Sequence, residues 1–169
     1  MLSRGQMMGV RNYLIEGVSC SGKTTVCDEL LRRGHHAIHG DRVLAYQGDP
    51  ETGERLDGSC HEHHIWDVGK VNALMDDQTV AMTFFCGGSR NFDHFIARFD
   101  AIFVLDVDLN TLSRRLSERP KDEFGAKPSE RALILRLHAT KEDTPAGIRI
   151  DATASVGHVV DQILSRCSG

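Results

Sequence analysis

Eight consecutive residues, Gly17-Val18-Ser19-Cys20-Ser21-Gly22-Lys23-Thr24, match the pattern G-x-x-x-x-G-K-[ST] in full. A match of this kind arises by chance in roughly one chain in a hundred of this length. The chemistry these residue types support is phosphate binding. Two glycines let a loop curl until its backbone N–H groups point inward, and the N-terminus of a following helix adds roughly half a positive charge. Lys23 then reaches the outer phosphates as a point charge, and the Thr24 hydroxyl is a ligand for Mg2+. Gly17, Ser19, Cys20, Ser21, Gly22 and Thr25 complete the expected nucleotide contacts. A plain turn has no use for Lys and Thr after its second glycine.

Other residues with chemistry to offer fall where buried strands are expected to end. Asp41, in Gly40-Asp41-Arg42, follows one such strand. Ligands of open parallel α/β sheets lie beyond the carboxyl ends of the strands, which makes Asp41 a candidate base for a second substrate; the alternative is a turn aspartate. Cys86-Gly87-Gly88-Ser89-Arg90-Asn91 follows another strand. Its paired glycines admit a ligand against the backbone and Arg90 offers a planar fork to a carboxylate or phosphate, the alternative being a turn with a solvated arginine. Cys60-His61-Glu62-His63-His64-Ile65-Trp66-Asp67 holds three histidines and the single tryptophan. The histidines fit neither H-E-x-x-H nor an i, i+4 pair, which argues against a metal. That leaves a substrate pocket with Trp66 as a stacking face, or a solvated loop. Arg114, Arg115 and Arg119 precede Pro120 and a charged, Gly-containing stretch. As a lid over residues 119–130 they would close over the phosphates, stabilise charge developing in transfer and exclude water; as a plain helix end they would be solvated.

The elements that must position these residues alternate in type. Tyr13–Glu16 reads as a short buried strand, and the helix from Thr25 to Arg32 ends at Gly34. His35–His39 is a second strand. Residues 43–76 form a polar segment suited to acceptor binding, closing with a helix that Asp67 caps and Val68, Val71, Leu74 and Met75 stripe. Thr79–Phe85 and Asp100–Asp106 are further strands. Asp108 caps a helix expected to turn Leu109, Leu112 and Leu116 inward, and Ile148–Ile150 is the fifth strand. A last helix carries Val156, Val159, Val160, Ile163 and Leu164 on one face. Five strands alternating with helices define an α/β fold.

Composition narrows the partners. At 169 residues, 40% hydrophobic and 26% charged, the chain fits one domain spanning 1–169. Its net charge of −4 gives no global basic field for nucleic acid or an anionic membrane. Five cysteines without a C-x-x-C pair read as free thiols. No apolar run approaches the length that spans a bilayer, and Met1–Val10 lacks a signal-peptide core, so a cytoplasmic location is expected.

On these motifs the chain resembles the small P-loop kinases of the nucleoside monophosphate kinase and shikimate kinase group. The resemblance implies a three-layer sheet of order 2-3-1-4-5 with helices on both faces and a short lid. It implies that Asp41 polarises the acceptor hydroxyl and that Gly87, Gly88 and Arg90 hold the acceptor. Arg115 would lie against adenine, Arg119 would contact phosphates, and Asp151-Ala152-Thr153 would form the adenine loop. The sequence departs from the group in one respect. Phe84-Phe85-Cys86 ends the third strand without an Asp, so beyond Thr24 the Mg2+ shell falls to Asp41, or to Asp106 through water.

The expectation is therefore an ATP- and Mg2+-dependent kinase, monomer or homodimer, with Lys23, Asp41 and Arg119 as its catalytic residues. Its acceptor would be a small molecule held by Asp41, Arg42, Trp66, Gly87, Gly88 and Arg90. A hydroxyl compound such as a nucleoside fits better than a nucleoside monophosphate, whose phosphate demands several arginines. The rival is a nucleotide-dependent switch protein with no small acceptor, against which stands the absence of an N-K-x-D base-reading motif.

Overall fold

The computed structural model describes residues 10–167. Met1 to Gly9, on which most of the leader-peptide reading rests, lie outside them. The strands are β1 (Arg11–Glu16), β2 (His36–His39), β3 (Ala45–Gln47), β4 (His64–Trp66), β5 (Met82–Cys86), β6 (Ala101–Asp106) and β7 (Ile148–Asp151). The helices are α1 (Lys23–Arg32), α2 (Gly40–Val43), α3 (Val68–Asp76), α4 (Leu109–Ser117), α5 (Pro128–Thr140) and α6 (Val156–Cys167).

Five strands form one parallel sheet in the order β2-β5-β1-β6-β7. These labels depart from 2-3-1-4-5 because an unexpected antiparallel hairpin, β3–β4, intervenes in the chain. With that pair set aside, the succession is the expected one. β1 lies in the centre, and burial of Asn12 to Glu16 on both faces, with Tyr13-Leu14-Ile15 as its apolar part, suits a strand covered on both sides. Alternation sorts its side chains. Tyr13 and Ile15 join Phe84, Phe103, Leu30 and Val160 in one core, and Leu14 joins Phe85, Val71 and Met75 in the other. These are the two inter-layer cores of a three-layer α/β fold.

Local signals placed most element ends. Asp67 Oδ1 accepts from Lys70 N–H at 3.0 Å and Asp108 Oδ1 from Thr111 N–H at 2.6 Å, so both read caps are present. Gly34, at φ 87°, ends the turn after α1. Two expectations need correction. Leu109 is 55% exposed, because as the first residue of α4 it precedes the turn that packs. Strand β5 starts at Met82, since Asp77 bonds the Thr79 N–H and hydroxyl in a turn that keeps 77–79 out of the sheet.

Trp66 is the largest correction. It is 1% exposed and stacks on Phe95 with centroids 5.7 Å apart and planes at 5°. Asn91 pins its backbone, accepting from Trp66 N–H at 3.0 Å and donating to its carbonyl at 2.9 Å. The ring belongs to the core and offers no face to a ligand. Trp66→Ala is accordingly expected to cost about 3–5 kcal/mol in urea unfolding, the scale of deleting a buried aromatic.

Candidate active site

The loop between β1 and α1 owes its path to conformations that few residues adopt. Gly17 has φ 152°, and a Cβ there would meet Ser21 Oγ at 2.6 Å and the Leu105 carbonyl at 2.9 Å. Cys20 takes φ 68° without being glycine. Lys23 Nζ donates to the Gly17 carbonyl, which folds the ammonium back over the loop. Arg115 ties three segments together: Nη1 donates to the Cys20 and Ser21 carbonyls at 3.1 and 3.2 Å, and Nη2 to the Ala152 carbonyl at 3.0 Å.

A cavity of about 630 Å³ runs along this loop. Ser19 to Val26 line it with Arg114, Arg115, Arg119 and residues 152–156, so the expected phosphate and adenine elements meet there. Asp151 is the exception. It does not line the cavity, and its Oδ1 accepts from Thr153 N–H at 2.9 Å, shaping the loop that does.

A second cavity, of about 320 Å³, adjoins the first and shares Ser19, Lys23, Asp41 and Arg119 with it. Gly88 and Arg90 line it as expected. Asp41 sits in the one-turn α2, its side chain half exposed, and its Oδ1 lies 3.0 Å from His64 Nε2 and 3.5 Å from Trp66 Nε1. Both contacts fall on Oδ1, which leaves Oδ2 for a ligand. Burial pushes this carboxyl up, but the His64 hydrogen bond and the Lys23 charge outweigh it and hold it below the usual aspartate range. Gly87, expected to hold the acceptor, is buried and lines neither cavity; a Cβ there would lie 2.8 Å from Asp41 Oδ1, so its bare backbone makes room for that carboxylate. Arg42 is not brought to the site: it is exposed and lines neither cavity.

Two site residues escaped the sequence reading. Glu16, the last residue of β1, is 2% exposed and lines the second cavity. Burial pushes its carboxyl up to about 7, with the Lys23 and Arg90 charges and the Gly17 N–H opposing and Asp41 reinforcing the rise. An acid closing an apolar strand just before the glycine loop was the available signal. Asp143, after α5, lies 2.8 Å from Arg90 Nη1 and 2.7 Å from His61 Nε2. Burial raises its carboxyl, and those two partners more than reverse the effect. His61 in turn stacks on Phe124 of the 119–130 stretch, at 6.1 Å and 14°. Asp143 had no local signal, being 53 residues from Arg90 along the chain.

The Glu16 shift has a stability consequence of fixed sign. An acid whose folded value lies near 7, above 4.5 unfolded, takes up protons on folding between those values, so stability falls as pH rises through that window. In urea unfolding of the ligand-free protein, Glu16→Gln is expected to gain about 2 kcal/mol relative to wild type between about pH 5 and about pH 8. Equal differences at both pH values would refute the shift.

The residues present fit a divalent cation that keeps most of its own waters. Among the described residues no group of three or more His, Cys, Asp and Glu could hold a metal ion. Mg2+ does not require such a cage, since it keeps waters and takes phosphate oxygens. The Thr24 hydroxyl, exposed in the first turn of α1 and lining the first cavity, fits that mode, with Asp41 facing the same space. Asp106 does not: Lys141 and Arg149 hold it at 3.2 and 3.4 Å, away from both cavities.

A glycine loop after the central strand, in a parallel sheet of this order, defines the P-loop nucleotide-binding class, with the fold of the small P-loop kinases. The chain belongs to the AAA domain family AAA_18, whose profile matches residues 14–136. No curated protein sequence matches it. Among solved structures it is similar to a sugar kinase from a Janibacter species, at 19% identity over 92% of this chain and 93% of that one, with a TM-score of 0.54. It is similar to shikimate kinase from Bacteroides thetaiotaomicron at 15% identity, 94% and 99% coverage and TM-score 0.56. It is also similar to deoxyadenosine kinase from M. mycoides with bound dATP, at 12% identity, 94% and 100% coverage and TM-score 0.51. These likenesses concern the fold. No helix among the described residues is long and apolar enough to cross a membrane.

Proposed function

We propose that the protein is an ATP- and Mg2+-dependent phosphotransferase that moves the γ-phosphate to a hydroxyl of a small-molecule acceptor. The observation that supports it is the junction of the two cavities at Lys23, Asp41 and Arg119. A donor chamber and an acceptor chamber that share a lysine, an arginine and a carboxylate suit transfer between two bound molecules better than simple hydrolysis. Solved neighbours of this fold are kinases for sugar, shikimate and deoxyadenosine, which is in keeping with a small acceptor.

In this reading Lys23 and the amides of residues 17–24 bind the β- and γ-phosphates, and Arg115 fixes the loop that receives them. Thr24, with Asp41, holds Mg2+, which when bound neutralises charge between the phosphate oxygens. Asp41 receives the acceptor hydroxyl proton, kept ionised by His64 and Lys23. Gly87, Gly88 and Arg90 shape the acceptor chamber. The 119–130 stretch acts as the lid, with Arg119 brought over the transferring group. The working unit is a cytoplasmic monomer or homodimer with no nucleic-acid or membrane partner.

The test is transfer of label from γ-labelled ATP to a metabolite in a cell extract. Label in a small molecule, dependent on the protein and on Mg2+, is the expected result. Tight ATP binding with no labelled metabolite would instead favour a nucleotide-dependent switch.

A further inference from the structure

The second cavity carries groups that phosphate binding does not use. Its floor is Glu16 at the end of β1 and Arg90 behind β5, with Gly88 between them. A Cβ on Gly88 would lie 2.5 Å from Glu16 Oε1 and 3.5 Å from Arg90 Nη2, so a bare backbone leaves both groups facing one space. Glu16 Oε1 accepts from the Gly17 N–H at 3.3 Å. Its Oε2 is buried and has no hydrogen-bond partner among the described residues, and neither has Arg90 Nε. A carboxyl oxygen and an N–H donor left unpaired on two side chains that line the same cavity are matched by a group that both donates and accepts, which is what a hydroxyl does.

The charges around that floor are already answered. Arg90 lies 2.8 Å from the Asp143 carboxylate, Arg119 lies 3.2 Å from Glu123, and Lys23 is turned to the phosphate loop. An anionic acceptor would have to draw Arg90 off Asp143. A cationic one would meet Lys23, Arg90 and Arg119, while of the facing carboxyls Asp41 is engaged by His64 and Asp143 by His61 and Arg90. The rest of the lining is mixed, with Val18, Phe124, Ile134 and Leu137 as its apolar part. About 320 Å³ is the low end of small-ligand sites.

We infer that the acceptor is an uncharged polyhydroxyl compound with one apolar face, of the sugar, cyclitol or nucleoside class, and that Glu16 and Arg90 bind its non-reacting hydroxyls. The inference rests on the kinase reading above and adds to it a substrate class and a binding residue, Glu16. Asp41, at the junction of the chambers, then faces the reacting hydroxyl, and the floor sets which hydroxyl that is.

The experiment isolates the product labelled from γ-labelled ATP in a metabolite extract, removes the phosphate enzymatically, and determines the acceptor's mass and its charge at neutral pH. A neutral polyol is expected. A carboxylate, phosphate or amine acceptor overturns the inference and leaves the kinase reading standing. Absence of any product while ATP binds overturns both. With the acceptor in hand, Glu16→Leu is expected to raise its KM by about tenfold, the loss of a buried hydrogen bond, with KM for ATP within about twofold. Glu16→Gln, which keeps a carbonyl acceptor, should recover most of that loss. An unchanged acceptor KM in Glu16→Leu, in a protein that still binds ATP, removes Glu16 from the acceptor site.

Discussion

Lys23→Ala is expected to lower kcat for phosphoryl transfer by a thousandfold or more, with little loss of folded stability. The size of the effect follows from where the charge stands. Among the described residues only Lys23 and Arg119 are cations lining both cavities, and Arg119 is shared with Glu123 and the Phe124 carbonyl. Removing one well-placed donor from a developing oxyanion costs on the order of a hundredfold to a thousandfold, and Lys23 offers a full charge in place of a dipole. Little stability is at risk, because the ammonium meets a loop carbonyl and solvent instead of core atoms. Stopped or quenched-flow transfer rates measure the first effect and thermal unfolding the second. Wild-type transfer in Lys23→Ala would remove the phosphate loop from the chemistry.

Asp41→Asn is expected to lower kcat by about a hundredfold to ten-thousandfold, the range of general acid–base contributions, with KM for ATP changed far less because Thr24, waters and phosphate oxygens still serve Mg2+. Asparagine keeps an oxygen where Oδ1 receives His64 and Trp66, so the change removes charge and basicity more than shape. The pH profile adds an independent reading. Asp41 is held below the usual aspartate range, so a reaction that depends on its ionisation keeps its rate as pH falls into that range. An acid limb near 7 that vanishes in Glu16→Gln would assign the proton to Glu16, whose carboxyl lies there, and would refute the role given to Asp41.

Much of this site was legible before folding was considered, and the reasons differ by residue. Gly17 to Thr24 were readable because the function is carried by the backbone conformation of one contiguous loop. Asp41, Gly88 and Arg90 were readable from a weaker rule, that strand ends gather ligands, and the structure brings all three to one cavity. Trp66 misled. A single tryptophan in a polar, histidine-rich stretch resembles a stacking platform, but β4 pairs with β3 and turns that ring onto Phe95. Arg42 was placed by adjacency to Asp41, and the one-turn helix α2 carries neighbouring side chains in different directions.

By itself the sequence determined the parallel α/β class, the phosphate loop and the residues that follow each strand, because these depend on local periodicity and on short-range backbone chemistry. Only the tertiary structure decided what those residues do to one another. Asp143 neutralises Arg90 from 53 residues away, and Glu16 is buried to 2% exposure at the end of the central strand beside Lys23, Arg90 and Asp41. Both effects are electrostatic and depend on burial and distance. Neither quantity exists along the chain until the sheet is assembled.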